Sequence, residues 1–435
     1  MRDYVVIGLV LSSLPIGLFR PFYGLLVYAW ISYMYPHMLA WSMAQTFPMA
    51  KLSSLSVMGG LLFSPSANVA ALRQRENVAM LLLWCTFTIS SVFAIYPDQA
   101  WVKWQDTSKL ILMSVLATIL LRDRKQIRLF VLVIALSIGF WGFKGGLFGL
   151  ATGGNQIVYG PEPSIMGANN AIGLALDMCM PLLWYLASQE RGWLKRLLQA
   201  FFFLSIPAVM FTYSRGSTLA LAVVLLLIML KSKHRIPLIF AMVIGGVLAV
   251  PFIPQKWLER QQTVFTYGED ASAMSRVDNW KFCWRIAQDY PLTGAGFDFQ
   301  SRQIFEKYAP EFLVKYNGKV WNTHNIFFSI LTSHGFPGLF AFVLMILFCM
   351  ISCTQLKMAV RGASDLVWVK IYADMIQLSL LAFVINGMFV NMEYFDLPYH
   401  WVSVIACLKV IVSRELSGVH DEESYVSAPL EAAAS

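Results

Sequence analysis

The chain has 435 residues, of which 57% are hydrophobic and only 13% charged, with a mean hydropathy of +0.60. A soluble domain carries about 25% charged residues, so this composition excludes an ordinary water-soluble globule and points to a bilayer as solvent. The net charge of +8 sits in short clusters between apolar runs, such as Arg122–Arg128 and Lys231–Arg235, the pattern of positive-inside connectors and not of a nucleic-acid surface.

Apolar runs suited to helices cover residues 4–19, 22–35, 52–65, 77–95, 107–121, 126–150, 167–187, 194–212, 215–231, 236–253, 325–353, 371–391 and 398–413. The first run resembles a signal peptide but has no small-residue cleavage site, and Arg20-Pro21 leads straight into the next run, so it reads as an uncleaved helix. Basic connectors around Arg73/Arg75, Arg122–Arg128, Arg191–Arg196, Lys231–Arg235 and Lys357–Lys370 are expected in the cytoplasm. Connectors 96–106, 151–166, 213–214 and 392–397 are then expected in the periplasm. Thirteen crossings starting inside would place Arg73 and Arg75 outside. The short, serine-bearing run 52–65 is therefore read as re-entrant or interfacial. The expectation is an all-α polytopic protein of the bacterial inner membrane, with about twelve transmembrane helices and both termini cytoplasmic.

Four segments follow: transmembrane helices over 1–253, a long periplasmic loop over 254–322, further transmembrane helices over 323–415, and a cytoplasmic tail over 416–435. Loops this long in compact proteins are usually functional or disordered, and the aromatic content of this one argues against disorder. Ser275 and Asp278 look like the start of a helix carrying Val277, Trp280, Trp284 and Ala287 at helical spacing, stopped by Pro291. Gly294-Ala295-Gly296 marks a tight turn. Five of the six cysteines lie in apolar runs; Cys283 alone falls in the loop, which therefore cannot staple itself with a disulfide. No Cys/His spacing or carboxylate cluster suggests a metal, and no nucleotide or cofactor motif is present, so neither metal nor cofactor is expected.

Several polar residues at the outer boundary could carry chemistry. Arg215 interrupts two apolar runs within Ser214-Arg215-Gly216-Ser217, where a guanidinium can hold a phosphate bidentately or snorkel as an interfacial anchor. Arg276 opens the loop helix, with Lys281 and Arg285 one turn apart; these offer positive potential to an anion or are solvated charges on an amphipathic face. His324 stands where the loop re-enters the membrane. A helix N-terminus favours neutral imidazole, the form needed in a general base, although a hydrogen-bonded structural histidine fits the same place. His334 belongs to a helix break at Gly335 and Pro337. Lys144 and Asp177 are charges in apolar runs, which are functional or paired when they occur. Asn169-Asn170 reads as a helix start. His37, His234 and His420 fall in segments expected in the cytoplasm, and His400 has no supporting neighbour.

At these residues the chain resembles the O-antigen ligase and polymerase superfamily. The matching pattern is Ser214-Arg215-Gly216-Ser217, Ser275-Arg276 with Trp280, Asp289-Tyr290-Pro291 through Gly294-Ala295-Gly296, Thr323-His324-Asn325, and His334-Gly335 through Gly338. Arg20-Pro21, Pro36-His37, Lys144 with its flanking glycines and Asn169-Asn170 look like the branch of exosortase-A-associated O-glycosylation ligases. The resemblance implies inverting glycosyl transfer from an undecaprenyl diphosphate-linked glycan, without metal or nucleotide. It implies that Arg215 and Arg276 hold the diphosphate and that His324 takes the acceptor proton. A lipid A-core hydroxyl is the acceptor expected; a protein Ser/Thr or a second lipid-linked repeat would serve the same chemistry. A lipid or glycan transporter is the non-enzyme alternative, but it would place its charges at mid-membrane depth.

Overall fold

The computed structural model describes residues 1–62, 68–232, 235–237, 239–240, 244, 254–262 and 271–418. The expected run 236–253, His234 and His420, and nearly all of the tail 416–435 lie largely or wholly outside the described residues. Among the described residues every regular element is helical. They are α1 (Arg2–Phe19), α2 (Pro21–Met34), α3 (Met49–Leu62), α4 (Arg75–Val92), α5 (Pro97–Leu120), α6 (Arg124–Ala151), α7 (Asn169–Gln189), α8 (Gly192–Met210), α9 (Arg215–Lys231), α10 (Gln255–Gln262), α11 (Ala271–Asp289), α12 (Ile326–Ala359), α13 (Val367–Gly387) and α14 (Asp396–Ser417), joined by shorter helical turns. Seven of the described helices are long and apolar enough to cross a membrane, and Met49–Leu62 is a shorter apolar one. Hydrocarbon cannot satisfy backbone N–H and C=O groups, so a chain of this composition closes them within helices. It is a polytopic all-α membrane protein.

Local chemistry sets the helix starts. Asp123 caps α6 by accepting from Gln126 N, while Gln126 Oε1 accepts from Arg122 N, the residue before the cap. Ser214 accepts from Ser217 N at the start of α9. Asn325 accepts from Phe327 N and Phe328 N at the start of α12, a cap worth about 0.5–2 kcal/mol.

The helices run between two ends. At one, Arg75 donates to Ser352 and Gln355, Arg128 pairs with Glu190, Lys231 and Lys357 both reach Asp374, and Arg124 lies over Trp368. This basic end gathers connectors expected from their charge to be cytoplasmic. At the other, Ile95 N donates to Ala295 O, Val158 N to Phe211 O, and Asn169 Nδ2 to Thr212 O, bringing the ends of α4 and α8, the 151–168 connector and the turn at 294–296 to this end.

The early chain departs from expectation. α3 is not re-entrant: its Met49 end packs with Val10 and Ile31, and its Gly60 end meets Gly17, Leu18 and Pro21. It therefore runs alongside α1 and antiparallel to α2, along the length of both. Trp141 in the upper half of α6 donates to Met34 O, which carries the C-terminus of α2 and His37 to the end opposite the basic connectors. Asp3 Oδ1 accepts from Ser42 N and Ala44 N there, so the Met1 end of α1 lies away from the basic end. Three traverses that start at this opposite end bring Arg73 and Arg75 back to the basic end, which removes the parity conflict without setting 52–65 aside.

Two other boundaries differ. Residues 97–106, expected as a connector, are the first turns of α5, tied to α4 by Trp104 Nε1 donating to Thr88 and Trp84 Nε1 to Ser108. α11 begins at Ala271, ahead of the expected start at Ser275. Asp278 lies inside it and binds Lys281, Lys315 and Tyr316.

The segment 271–322 has its own core of Phe282, Cys283, Ile286, Phe299, Phe305 and Phe312, in which the rings of Phe282 and Phe305 stack at 3.9 Å. The turn after α11 docks on the kink of α12. Ala295 N donates to Thr332 O, Gly296 N to Ser333 O, and Phe336 N to Pro291 O. Gly294 (φ +68) and Gly335 (φ +69) make this contact possible, since a Cβ on either would collide with the facing backbone.

Candidate active site

The described starts of α7 and α9, the segment before α12 and the connector 388–395 converge at the end away from the basic connectors. His324 is at their centre. Its φ is +50, an uncommon conformation for a residue with a side chain. Such a conformation costs on the order of 1–3 kcal/mol and persists only where neighbours fix it. Here α11 is the clamp. Asn279 Nδ2 donates to Trp321 O at 2.7 Å and to Asn322 O at 3.2 Å, and Trp280 Nε1 donates to Thr323 O at 3.0 Å. Gln300 Nε2 reaches Thr323 Oγ1 at 2.8 Å, and Trp280 stacks on Phe328. Asn325 then caps α12. His324 is pinned on both sides.

The imidazole is mostly buried. Asn170 Nδ2 lies 3.4 Å from its Nδ1, and Nε2 makes no hydrogen bond to the protein among the described residues. Burial first, then the positive charge of Arg276, lowers its pKa to about 4. Neutral imidazole is therefore the resting form, but the cause differs from the one expected: His324 precedes the cap of α12 and owes its state to desolvation and a nearby guanidinium.

Arg215 is the first residue of α9, half-buried, two residues after Tyr213, which is also left-handed (φ +57). Gly216 leaves room for the Phe389 ring, since a Cβ there would strike it. That contact sets the connector 388–395 against α9, and Asn325 Nδ2 reaches Met388 O on its other side. Arg276 lies on α11, half-buried, close enough to act on His324.

The remaining sequence candidates have other engagements. His334 is buried with Ser90 Oγ 2.6 Å from Nδ1 and Tyr394 OH 2.7 Å from Nε2, between Phe87 and Phe297. Both ring nitrogens are occupied, which suits a structural bolt. Lys281 pairs with Asp278, and Arg285 with Glu311 and Tyr308 O, within the 271–322 segment. Lys144 is exposed over the Trp141 ring. Asp177 accepts from Asn386 inside the bundle, and His400 bonds Tyr33 OH.

Two groups were not singled out from the sequence. Asn170 was read only as a helix start, yet its side-chain amide lies 3.4 Å from Nδ1 of His324. Glu393 is buried, accepts from Ser329 Oγ at 2.5 Å, and is pushed up by burial to about 7. Ser329 is one turn into α12 from Asn325, so this carboxyl sits beneath the site, able to hold or release a proton near neutrality. An acid inside the short polar break Asn391–Asp396 between apolar runs was the signal available.

Residues 200–343 match a family model described as O-Antigen ligase, and residues 1–190 match a family of unknown function, DUF5935. No curated protein matches the chain. Arg215, Arg276 and His324 all fall inside the first match, and Asn170 inside the second. The match supports glycosyl transfer of the ligase or polymerase type by a membrane-embedded protein. Over residues 200–343 the chain is thus similar to the O-antigen ligase family.

Proposed function

We propose that the protein transfers a glycan from undecaprenyl diphosphate to a hydroxyl of lipid A-core, inverting the anomeric carbon and using no metal. The observation that carries this reading is His324, held in a left-handed backbone beside Arg276 and Asn170, at the same end of the bundle as Arg215.

Arg215 and Arg276 bind the diphosphate through charge-assisted hydrogen bonds, which stabilise the leaving group as its charge develops. The acceptor oxygen attacks the anomeric carbon from the face opposite the diphosphate. As the new C–O bond forms, the bond to the diphosphate breaks with its electron pair, and His324 takes the hydroxyl proton. Lipid diphosphate leaves, and the proton passes from the imidazolium to solvent. Arg276 links the two halves of the reaction. Before donor binds, its charge adds to burial in holding His324 low, making it a weak base. A bound diphosphate offsets that charge, so the base strengthens when donor is present.

The charge of the basic connectors supports a cytoplasmic location for their end, and with it a site facing the periplasm of the inner membrane. Segment 254–322 is then the outer loop between the helices of 1–253 and 323–415. Reconstitution in proteoliposomes with lipid-linked glycan and each acceptor class tests the proposal. Product on lipid A-core is expected. Product only on a Ser/Thr peptide, or only on a second lipid-linked repeat, replaces the acceptor; no product with any acceptor overturns the enzyme reading.

A further inference from the structure

A cavity of about 720 Å³ opens beside the site, lined by Asn155, Gln156, Tyr159, Asn169, Tyr213 and Lys256. Its wall is built by backbone and not by chance contact of side chains. Gly154 N donates to Gly149 O, Val158 N to Phe211 O, and Gly160 N to Gly167 O. Tyr213 OH donates to Gly154 O at 2.7 Å, and Trp257 Nε1 ties α10 to Met210 O. The 151–167 connector is thus fastened to the end of α8 and the approach to α9.

The lining chemistry is that of a sugar site. Amides pair a donor with an acceptor at a spacing that suits vicinal hydroxyls. Asn169 uses its NH2 on Thr212 O, which leaves its Oδ1 to accept. Gln156 is exposed and makes no hydrogen bond among the described residues. Tyr159 is 54% exposed at the lip, where its ring can cover the apolar face of a pyranose and its hydroxyl stays wet. Lys256 is exposed, is the cavity's one cation among these six residues, and has no ion pair among the described residues.

We propose that this cavity binds the acceptor oligosaccharide, specifically one bearing an anionic substituent that meets Lys256. The proposal rests on the transfer reaction above. With Arg215 and Arg276 on the donor diphosphate, this cavity is the polar surface left beside the site, adjoining Asn170, the neighbour of His324. Asn169, the next residue, lines the cavity. The connector that supplies Asn155, Gln156 and Tyr159 belongs to the region matched by the family of unknown function, so that region would supply acceptor recognition to the ligase-type half.

Kinetics in proteoliposomes, with donor and acceptor varied separately, provide the test. Gln156→Ala, Tyr159→Ala and Lys256→Ala should each raise KM for lipid A-core about three- to tenfold, the loss of one hydrogen bond or ring contact. KM for donor and kcat at saturating acceptor should stay at parent values. Dephosphorylated acceptor should be bound equally by parent and Lys256→Ala. A rise in donor KM instead would assign the cavity to the donor glycan, and no change in either constant would leave it without a ligand; both outcomes overturn the proposal. If the parent transfers to no acceptor, the reaction itself is wrong. Binding of free core oligosaccharide to detergent-solubilised parent and to Tyr159→Ala then decides the cavity separately, and equal or absent binding sinks it.

Discussion

The side-chain amide of Asn170 lies 3.4 Å from Nδ1 of His324, so the first turn of α7 meets the residue ahead of α12 across 154 positions of sequence. The contact joins the region matched by the family of unknown function to the ligase-type region. If the amide presents its oxygen, Nδ1–H donates to it and the Nε2 lone pair is aimed outward as the base. Asn170→Ala should lower kcat roughly three- to tenfold, the worth of one hydrogen bond. Asn170→Asp should keep the orientation and, by its negative charge, move the acidic limb of the pH–rate profile upward. An Asp variant with an unmoved limb would show that Asn170 does not act through His324.

Free His324 has its pKa lowered to about 4 by burial and by Arg276. The deprotonated form is the active one, so kcat/KM should hold from neutrality down and fall only as pH drops through about 4. Arg276→Gln removes the second cause, so its limb should shift toward the ordinary histidine value while overall activity declines. A limb that stays put in this variant would mean that Arg276 does not face the imidazole in solution.

His324→Asn should insert normally and bind donor, yet transfer about 10²–10⁴-fold more slowly. Asparagine is the informative replacement because it tolerates φ near +50, whereas alanine would add backbone strain to the loss of the base. Transfer at the parental rate by the Asn variant, on the same donor and acceptor, would make His324 a structural hydrogen bonder.

For Arg215, alanine should weaken donor use by roughly 1.5–3 kcal/mol, or about one to two powers of ten, through loss of a charge-assisted phosphate contact. Lysine should recover part of that, lacking the planar fork. Donor KM equal to the parent's in Arg215→Ala would identify an ordinary interfacial anchor.

Lys281→Ala and Arg285→Ala should leave kcat and both KM values near the parent's. Their charges are spent on Asp278 and Glu311 in exposed pairs, each worth about 1 kcal/mol or less. A tenfold loss of donor affinity in either would return that residue to the diphosphate site.

The helical bundle was legible because a chain this apolar has one cheap way to close its backbone hydrogen bonds, and runs such as 126–150 and 215–231 reappear nearly residue for residue as α6 and α9. Arg215 and His324 could be picked out as candidates because charge and imidazole are rare at such boundaries, whereas Arg276 was picked out through the family resemblance. What stayed hidden depends on contacts between segments far apart in sequence. Sequence spacing could not separate His334, sealed between Ser90 and Tyr394, from His324, with one ring nitrogen unbonded among the described residues; only the packing of α4 and the 388–395 connector does so. The clamp of Asn279 and Trp280 on residues 321–323, the approach of Asn170 and the burial of Glu393 arise in the same way. Charge counting assigns connectors one at a time, and so does not fix the end of the bundle at which Met1 lies. It is the close approach of α3 to Gly17 and Pro21, a steric fact of three helices together, that sets the direction of the first traverse.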